Sequence, residues 1–323
     1  MIGRTGNESR DSVAMIVQIA RMYHEQNMTQ PAIAEQLRIS QSRVSRWLKQ
    51  AVEMGIVRTV VLPPEGVHPE LEEQLVRRYG LRQALVVESS GDERSTMWAL
   101  GAAAATYLEA TLANGARVGF SSWSETLLAT VDSMVPLKHR RAESIVQIMG
   151  GVGQPEAQLK ATELTFRLAR IAGGTPMFLP TPGIVATSSA REALFQDPNV
   201  VETAQSWERL TDVLVGIGSV TPSPLLQVSG NAVSEAQMRT LRELGAVGDV
   251  AMRFFDADGR PIDTEFNDLV VGIGVEALLK TPRRVGIAGG ARKFEAIRGA
   301  LRGGWVDVIV TDLETAQALV ADS

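Results

Sequence analysis

The 323-residue chain contains no cysteine. That excludes disulfides, thiolate metal sites and cysteine nucleophiles, and it fits a reducing compartment, so a cytoplasmic location is expected. Histidine is nearly as scarce. His24, His68 and His139 lie far apart and share no ligand spacing, so no metal site is expected. Long apolar runs are also missing. The most apolar stretch, Met97 to Leu108, is too short to cross a bilayer and ends at Glu109. The first dozen residues are polar, without a basic-then-apolar signal pattern, so no membrane partner is expected. No full G-x-G-x-x-G fingerprint opens a domain, and there is neither a Walker A loop nor a G-x-S-x-G elbow. With no clear acid–base pair either, no cofactor and no catalytic residue are expected.

What is present is an ordinary globular composition, 45% hydrophobic and 21% charged, in a chain long enough for about two domains. The net charge of −5 argues at first against a nucleic-acid partner, but its distribution is uneven. Residues 1–62 hold eight Arg and Lys against five Asp and Glu, a balance of +3; residues 63–323 hold 24 against 32, a balance of −8. A small basic segment precedes a large acidic one.

Within the basic segment, Ser12 to Gln26 reads as a helix with Val13, Ile16, Val17, Ala20 and Tyr23 or His24 on one face, ended by Asn27. Thr29 is an N-cap residue and Pro31 falls in the first turn of a second helix, Gln30 to Leu37. Arg38 and Ile39 form a short turn. Ser40 caps a third helix, Gln41 to Met54, stopped by Gly55. Two short helices joined by such a turn make a helix-turn-helix, with Ile33, Ala34, Leu37, Ile39, Val44 and Trp47 or Leu48 facing inward. Arg38 stands where the turn often carries glycine, a modest cost for a left-handed residue. Gln41, Ser42, Arg43, Ser45, Arg46, Lys49 and Gln50 fall on the outward face of the third helix. Arg and Gln can pair with guanine and adenine edges, and Ser, Lys and Arg can hold phosphates. With Thr29 and Gln30 these make a candidate surface for double-stranded DNA. Ile56 to Leu62 alternates like a strand, which would make the unit a winged helix-turn-helix.

Residues 63–69, PPEGVHP, mark a linker, and Glu70 to Tyr79 reads as a helix ended by Gly80. The expected domains are therefore 1–62, a linker and connecting helix at 63–80, and 81–323. From Ala84 onward apolar runs alternate with amphipathic helical stretches, which indicates an α/β domain with a mainly parallel sheet covered on both faces. The runs include Val118–Phe120, Ile145–Met149, Met177–Leu179, Val213–Ile217, Val250–Phe255, Leu269–Ile273, Val285–Ala288 and Val306–Val310. An Asp-Gly turn within 254–262 marks a β-hairpin insert. Ligands bind at the carboxyl ends of strands in such sheets. Five loops there, SSWSETL, GGVGQ, PTPG, GSVTPS and GGARK, are rich in glycine and hydroxyls, which predicts a pocket at that edge.

The chain resembles the SorC/DeoR type of sugar-binding transcription regulators along almost its whole length. The resemblance rests on the N-terminal helix-turn-helix and on VGFSSWSETL (118–127), GAVGDVAMRFFDADG (245–259), FNDLVVGI (266–273) and RVGIAGGARKFEAIRGALRGGWVDVIVTDLETA (284–316). It implies a Rossmann-like C-terminal domain with the fold of ribose-5-phosphate isomerase and glucosamine-6-phosphate deaminase. That domain would bind a small sugar, polyol or sugar phosphate without turnover, and the chain would assemble as a homotetramer. Carried over residue by residue, Ser122, Ser124, Thr126, Gln147, Gly151, Gly153, Asp249, Arg253 and Lys293 would form the effector site. Where the family often has glycine, this chain has Ser124 followed by Glu125. A carboxylate there repels a phosphate dianion, so an effector less anionic than the family norm is expected. The alternative reading is a sugar-phosphate isomerase or deaminase fused to a DNA-binding module, since fold alone does not decide activity.

Overall fold

The computed structural model describes residues 5–57, 64, 66–88, 92–121, 124–138, 141–151, 155–221 and 233–322. It comprises two compact units, Met1–Pro63 and Pro64–Ser323.

The first unit holds α1 (Thr5–His24), α2 (Gln30–Leu37) and α3 (Gln41–Glu53). Thr29 Oγ1 accepts from the Ala32 amide at 3.4 Å, and Ser40 Oγ from the Arg43 amide at 3.3 Å, so each helix start has the side-chain acceptor its orphan amides need. Arg38 is left-handed (φ 51°, ψ 46°), and the Ile39 amide reaches back to the Ala34 carbonyl at 3.0 Å, closing α2 without glycine. Ile33, Ala34, Val44 and Leu48 are buried; Leu37, Ile39 and Trp47 are partly so. The inward face of α1 includes Ile16 and Ala20, as expected, but is wider than expected. Ile16, Ile19, Ala20 and Met22 are buried, whereas Tyr23 and His24 are exposed. The helix has apolar residues on two adjacent faces and buries both: Ile19 and Met22 pack with Ile33, Val44 and Leu48, and Ile16 and Ala20 with Ala51. Helix α1 also begins earlier than Ser12. Most of the expected strand at 56–62 lies outside the described residues.

The second unit is a three-layer α/β/α structure. Its sheet has seven strands in the order β1 (Gln83–Val87), β10 (Val308–Asp312), β9 (Arg283–Ile287), β5 (Asp212–Gly216), β2 (Arg117–Phe120), β3 (Ser144–Gln147) and β4 (Thr175–Met177). All neighbours pair in parallel. Strand side chains alternate between two cores. Val308, Val310 and Leu214 join the core under α5 (Glu93–Thr111), α6 (Glu125–Ser133) and α7 (Pro155–Ala172). Ile309, Val213 and Val215 join the other, with Leu75, Trp207 and Trp305. Burial on both faces explains why these strands read as unbroken apolar runs.

The segment read as a connecting helix, α4 (Pro69–Tyr79), is part of this unit. Leu75 is buried in its core, and Tyr79 Oη donates to the Leu319 carbonyl at 3.1 Å.

Two apolar runs are not single strands. Val250–Phe255 is a tight hairpin: β7 (Gly248–Val250) and β8 (Arg253–Phe255) are joined by Ala251 and Met252, both at positive φ (51° and 61°). That geometry belongs to a primed two-residue turn, here without the glycine or asparagine that advertises one. With β6 (Gly218–Ser219) they form a three-stranded antiparallel sheet. The Asp-Gly turn follows as a second reversal, leading to an isolated bridge between Phe255 and Pro261. Leu269–Ile273 makes only isolated bridges, to Ile184 and Met149. It is apolar because Val270, Val271 and Ile273 are buried. Three short helices, α8 (Ser188–Leu194), α9 (Pro198–Ser206) and α11 (Val275–Lys280), complete the pattern with α10 (Glu235–Glu243), α12 (Phe294–Arg302) and α13 (Leu313–Ala321).

Candidate functional site

On α3 of the first unit, Val44, Leu48 and Ala51 turn inward, and the intervening positions necessarily turn out. Gln41, Ser42, Arg43, Ser45, Arg46, Lys49 and Gln50 are all exposed, as is Thr29, while Gln30 is half-buried. The Arg43 guanidinium lies 4.5 Å from the Trp47 ring centroid, which restrains it along the helix. Lys49 is within 3.8 Å of Glu53 one turn on. The face therefore offers two Arg and one Lys beside Gln and Ser on one short helix.

In the second unit a cavity of about 340 Å³ opens at the carboxyl ends of the central strands. Ser121, Ser124, Glu125 and Thr126 form one wall after β2. Gly216 to Ser219 and Thr221 follow β5, and Gly289 to Lys293 follow β9. Asp249, Ala251 and Met252 close it from the hairpin. The start of α5 (Asp92, Glu93, Thr96, Met97, Leu100) and the end of β10 (Asp312, Glu314) supply the rest.

The hairpin turn aims Asp249 into the cavity. Asp249 Oδ2 accepts from the Met252 amide at 2.9 Å, and a Cβ on Gly218 would overlap the other carboxylate oxygen. Gly289 likewise leaves room for the Asp312 carboxylate, which also accepts from the Gly290 amide at 2.6 Å. These glycines create space for acids; neither has a positive φ, so they are not there for a turn. Burial pushes the Asp249 carboxyl up to about 6, opposed by the Met252 amide and the Lys293 charge. Burial pulls the Lys293 ammonium down, with Arg292 adding to the fall and Asp249, Glu125 and Glu93 opposing it. Among the described residues the Lys293 ammonium has no hydrogen-bonded or ion-paired partner, whereas Arg292 pairs with Glu93 at 2.7 Å. A half-buried ammonium and a half-buried carboxyl thus face one space, ready for a ligand with both donors and acceptors.

Ser124, Thr126, Asp249 and Lys293 are brought together as expected of one site. Gln147, Gly151 and Arg253 are not in the cavity wall. Gln147 Oε1 accepts from the Leu179 amide at 2.8 Å and its Nε2 lies 3.3 Å from Thr165 Oγ1, which ties β3 to its neighbours. Arg253 donates to the carbonyls of Ile273, Asn267 and Gly272 at 2.9, 3.1 and 3.2 Å. It fastens an irregular segment that has no strand partner to satisfy its carbonyls. Gly151 bridges to Pro182. Ser122 and Gly153 lie outside the described residues. Of the five glycine-rich loops, those after β2, β5 and β9 build the wall; among the described residues GGVGQ and PTPG give none, and Met149 lines the cavity just before GGVGQ. The acids Asp92, Glu93 and Asp312 were missed. Asp312 had a signal: a strand-ending Asp followed three residues later by Thr315, whose amide it caps at 3.0 Å. No group of three or more His, Asp and Glu among the described residues could hold a metal, and no described helix is long and apolar enough to cross a membrane.

An exposed basic helix on a three-helix unit, on one chain with an α/β unit that holds a polar cavity at its strand ends, defines a ligand-binding transcription regulator. Residues 67–321 match the sugar-binding domain family and residues 11–59 the homeodomain-like domain family. The chain is 30% identical over 318 residues to the sorbitol operon regulator of Klebsiella pneumoniae, covering 97% of this chain and 99% of that one. It is 31% identical over 314 residues to the deoxyribonucleoside regulator of Bacillus subtilis, with the same coverage. The crystal structure of the full-length sorbitol operon regulator SorC superposes with a TM-score of 0.73 over 95% of this chain and 98% of that chain, at 30% identity. The sugar-binding domain of a DeoR regulator from Pseudomonas syringae pv. tomato gives 0.62 over 79% of this chain and 100% of that chain, at 38% identity. The chain belongs to the SorC/DeoR-type family of sugar-binding transcriptional regulators.

Proposed function

We propose that this regulator binds double-stranded operator DNA through Thr29, Gln30, Gln41, Ser42, Arg43, Ser45, Arg46 and Lys49, and releases it when a neutral sugar or polyol fills the cavity of the second unit. It acts as a repressor of carbohydrate or polyol catabolism, in the cytoplasm and as a homotetramer. The observation that carries the effector reading is the charge of the cavity wall. Among the described residues of the wall, Asp92, Glu93, Glu125, Asp249, Asp312 and Glu314 stand against two cations, Arg292 and Lys293, and Arg292 is already paired with Glu93. A phosphate dianion entering that wall meets net repulsion; a hydroxylated neutral ligand does not. The relatives support the class of effector: they are named for sorbitol, for deoxyribonucleosides and, in Brucella abortus, for erythritol catabolism.

A short route links the cavity to the linker. Asp312 in the wall caps α13, and at the far end of that helix the Leu319 and Val320 carbonyls accept from Tyr79 Oη and Arg78 Nη1 of α4, each at 3.1 Å. Helix α4 directly follows the linker, so an effector that shifts Asp312 or Gly290 acts on the segment tethering the DNA-binding unit. Linkage then requires DNA and effector to weaken each other by one factor.

The test is a thermal-shift screen of neutral sugars and polyols against their phosphates, followed by operator titrations with the ligand that binds. A ligand at 100 times its Kd stabilises by about 2.7 kcal/mol. A response to neutral ligands with loss of operator affinity supports the reading; a response confined to phosphates sinks the neutral effector. One observation favours the alternative, an isomerase or deaminase: an acid that titrates near 6 beside a half-buried lysine could move a proton. Product formation from a sugar phosphate by the purified protein would establish it.

A further inference from the structure

We infer that Ser124 selects the effector by acting only as a hydrogen-bond acceptor, so that it reads an O–H donated by the ligand; the inference rests on the neutral-effector reading above. The polarity follows from a two-hydroxyl relay. Thr126 Oγ1 lies 3.0 Å from the Ile287 carbonyl, which can only accept, so the single proton of Thr126 is committed there. Ser124 Oγ lies 2.7 Å from Thr126 Oγ1. Either hydroxyl could donate in isolation, but with the Thr126 proton already used the Ser124 proton must bridge the pair. Ser124 then faces the cavity with lone pairs and no proton.

Three features hold the relay in that state. Thr126 is buried, with 6% exposure, so water does not readily replace the Ile287 bond. Ser124 occupies the N-cap position of α6 yet makes no side-chain cap, although serine there ordinarily accepts from the first-turn amides. Its hydroxyl is turned to Thr126 instead. Gly216 on the neighbouring strand makes this possible, because a Cβ at that position would overlap Ser124 Oγ. The other polar groups around the space agree with the assignment: Asp249 and Glu125 are further acceptors, and Lys293 is the facing donor. A ligand that brings several hydroxyl donors is matched by this set. A ligand that brings additional acceptors, such as a phosphate or carboxylate, is not.

The experiment is a ligand–residue double-substitution cycle on the full chain, by isothermal titration. Erythritol, xylitol, D-glucitol, D-ribose and D-glucose are titrated beside their terminal phosphate esters. The tightest binder is then compared with its mono-deoxyfluoro analogues, in which C–F cannot donate. At one hydroxyl position the fluoro analogue is expected to bind the wild type about tenfold more weakly. That penalty should vanish in Ser124→Ala and shrink in Thr126→Val, where Ser124 regains a proton to donate. Should Thr126→Val fail to fold, Ser124→Ala carries the decision. A penalty equally large in Ser124→Ala, or no penalty at any position, overturns the acceptor role. The neutral-effector reading is judged separately, by ester against parent. If an ester binds best, that reading fails, and the same cycle on the ester's hydroxyls still decides Ser124. If no member of the panel binds at millimolar concentration, both fall.

Discussion

In the first unit the exposed polar side chains from Gln41 to Gln50 lie within one helix, and their neighbours Val44 and Leu48 fix which way they point. In the second unit the cavity wall is gathered from segments spread between Asp92 and Glu314, and its charged groups come from five separate stretches of the chain that only the fold brings together. A periodic surface survives the loss of any one neighbour. A gathered cavity depends on the elements that bring its parts together. The two units should therefore fail in different ways.

The largest expected effect is that of Gly218→Ala. Its methyl group would displace the Asp249 carboxylate, so effector binding should fall by more than about 100-fold, with about 1–3 kcal/mol of overpacking strain on the second unit. Operator affinity of the effector-free protein should be unchanged, leaving a regulator that binds DNA and no longer responds. Titration calorimetry and operator anisotropy together check this; loss of both activities would erase the contrast. Next in size, Arg46→Ala should cost about 1–3 kcal/mol of operator affinity if the side chain reads a base, and leave the effector-induced thermal shift intact. An equal loss on unrelated DNA would instead make Arg46 a phosphate contact.

Asp249→Asn sharpens the contrast through pH. The folded-state carboxyl titrates near 6, above its ordinary value of 3.8, so the folded protein holds this proton more tightly than the unfolded chain does. Stability is therefore lost as pH rises from about 4 through 6, and the full cost of the buried charge is present above that window. At pH 3, below both values, the variant and the wild type should melt alike; at pH 8 the variant should be more stable by about 3 kcal/mol in the absence of effector. A melting difference independent of pH would mean that Asp249 does not ionise in that range. The smallest effect belongs to the first unit. Arg38→Gly removes the penalty of a left-handed side chain and should stabilise that unit by about 0.5 kcal/mol, seen as a raised midpoint in denaturant unfolding.

The caps at Thr29 and Ser40, the left-handed Arg38 and the outward face of α3 were legible because each depends on residues within one or two turns. The alternation of strands and helices was legible for the same reason, and with it the edge of the sheet where a pocket should lie. The hairpin at Ala251 and Met252 was not, since neither residue signals a positive φ; Asp249 holds the turn from its side chain. Gln147 and Arg253 look like ligand-binding residues in sequence. Gln147 meets Leu179 and Thr165, and Arg253 meets Ile273, Asn267 and Gly272, only once β3, β8 and the irregular segment before α11 are assembled.

The sequence alone determined the capped second and third helices of the DNA-binding unit, the α/β class of the second unit and the uneven charge between them. These follow from local torsional preference, hydrophobic period and composition. Only the tertiary structure decided which polar residues share the cavity. In the sequence Gly218 and Gly289 read as loop-formers and Gly216 as part of a strand, but folded they are the space into which Asp249, Asp312 and Ser124 fit. Contact between such distant residues is set by packing across strands, and a linear pattern carries no record of it.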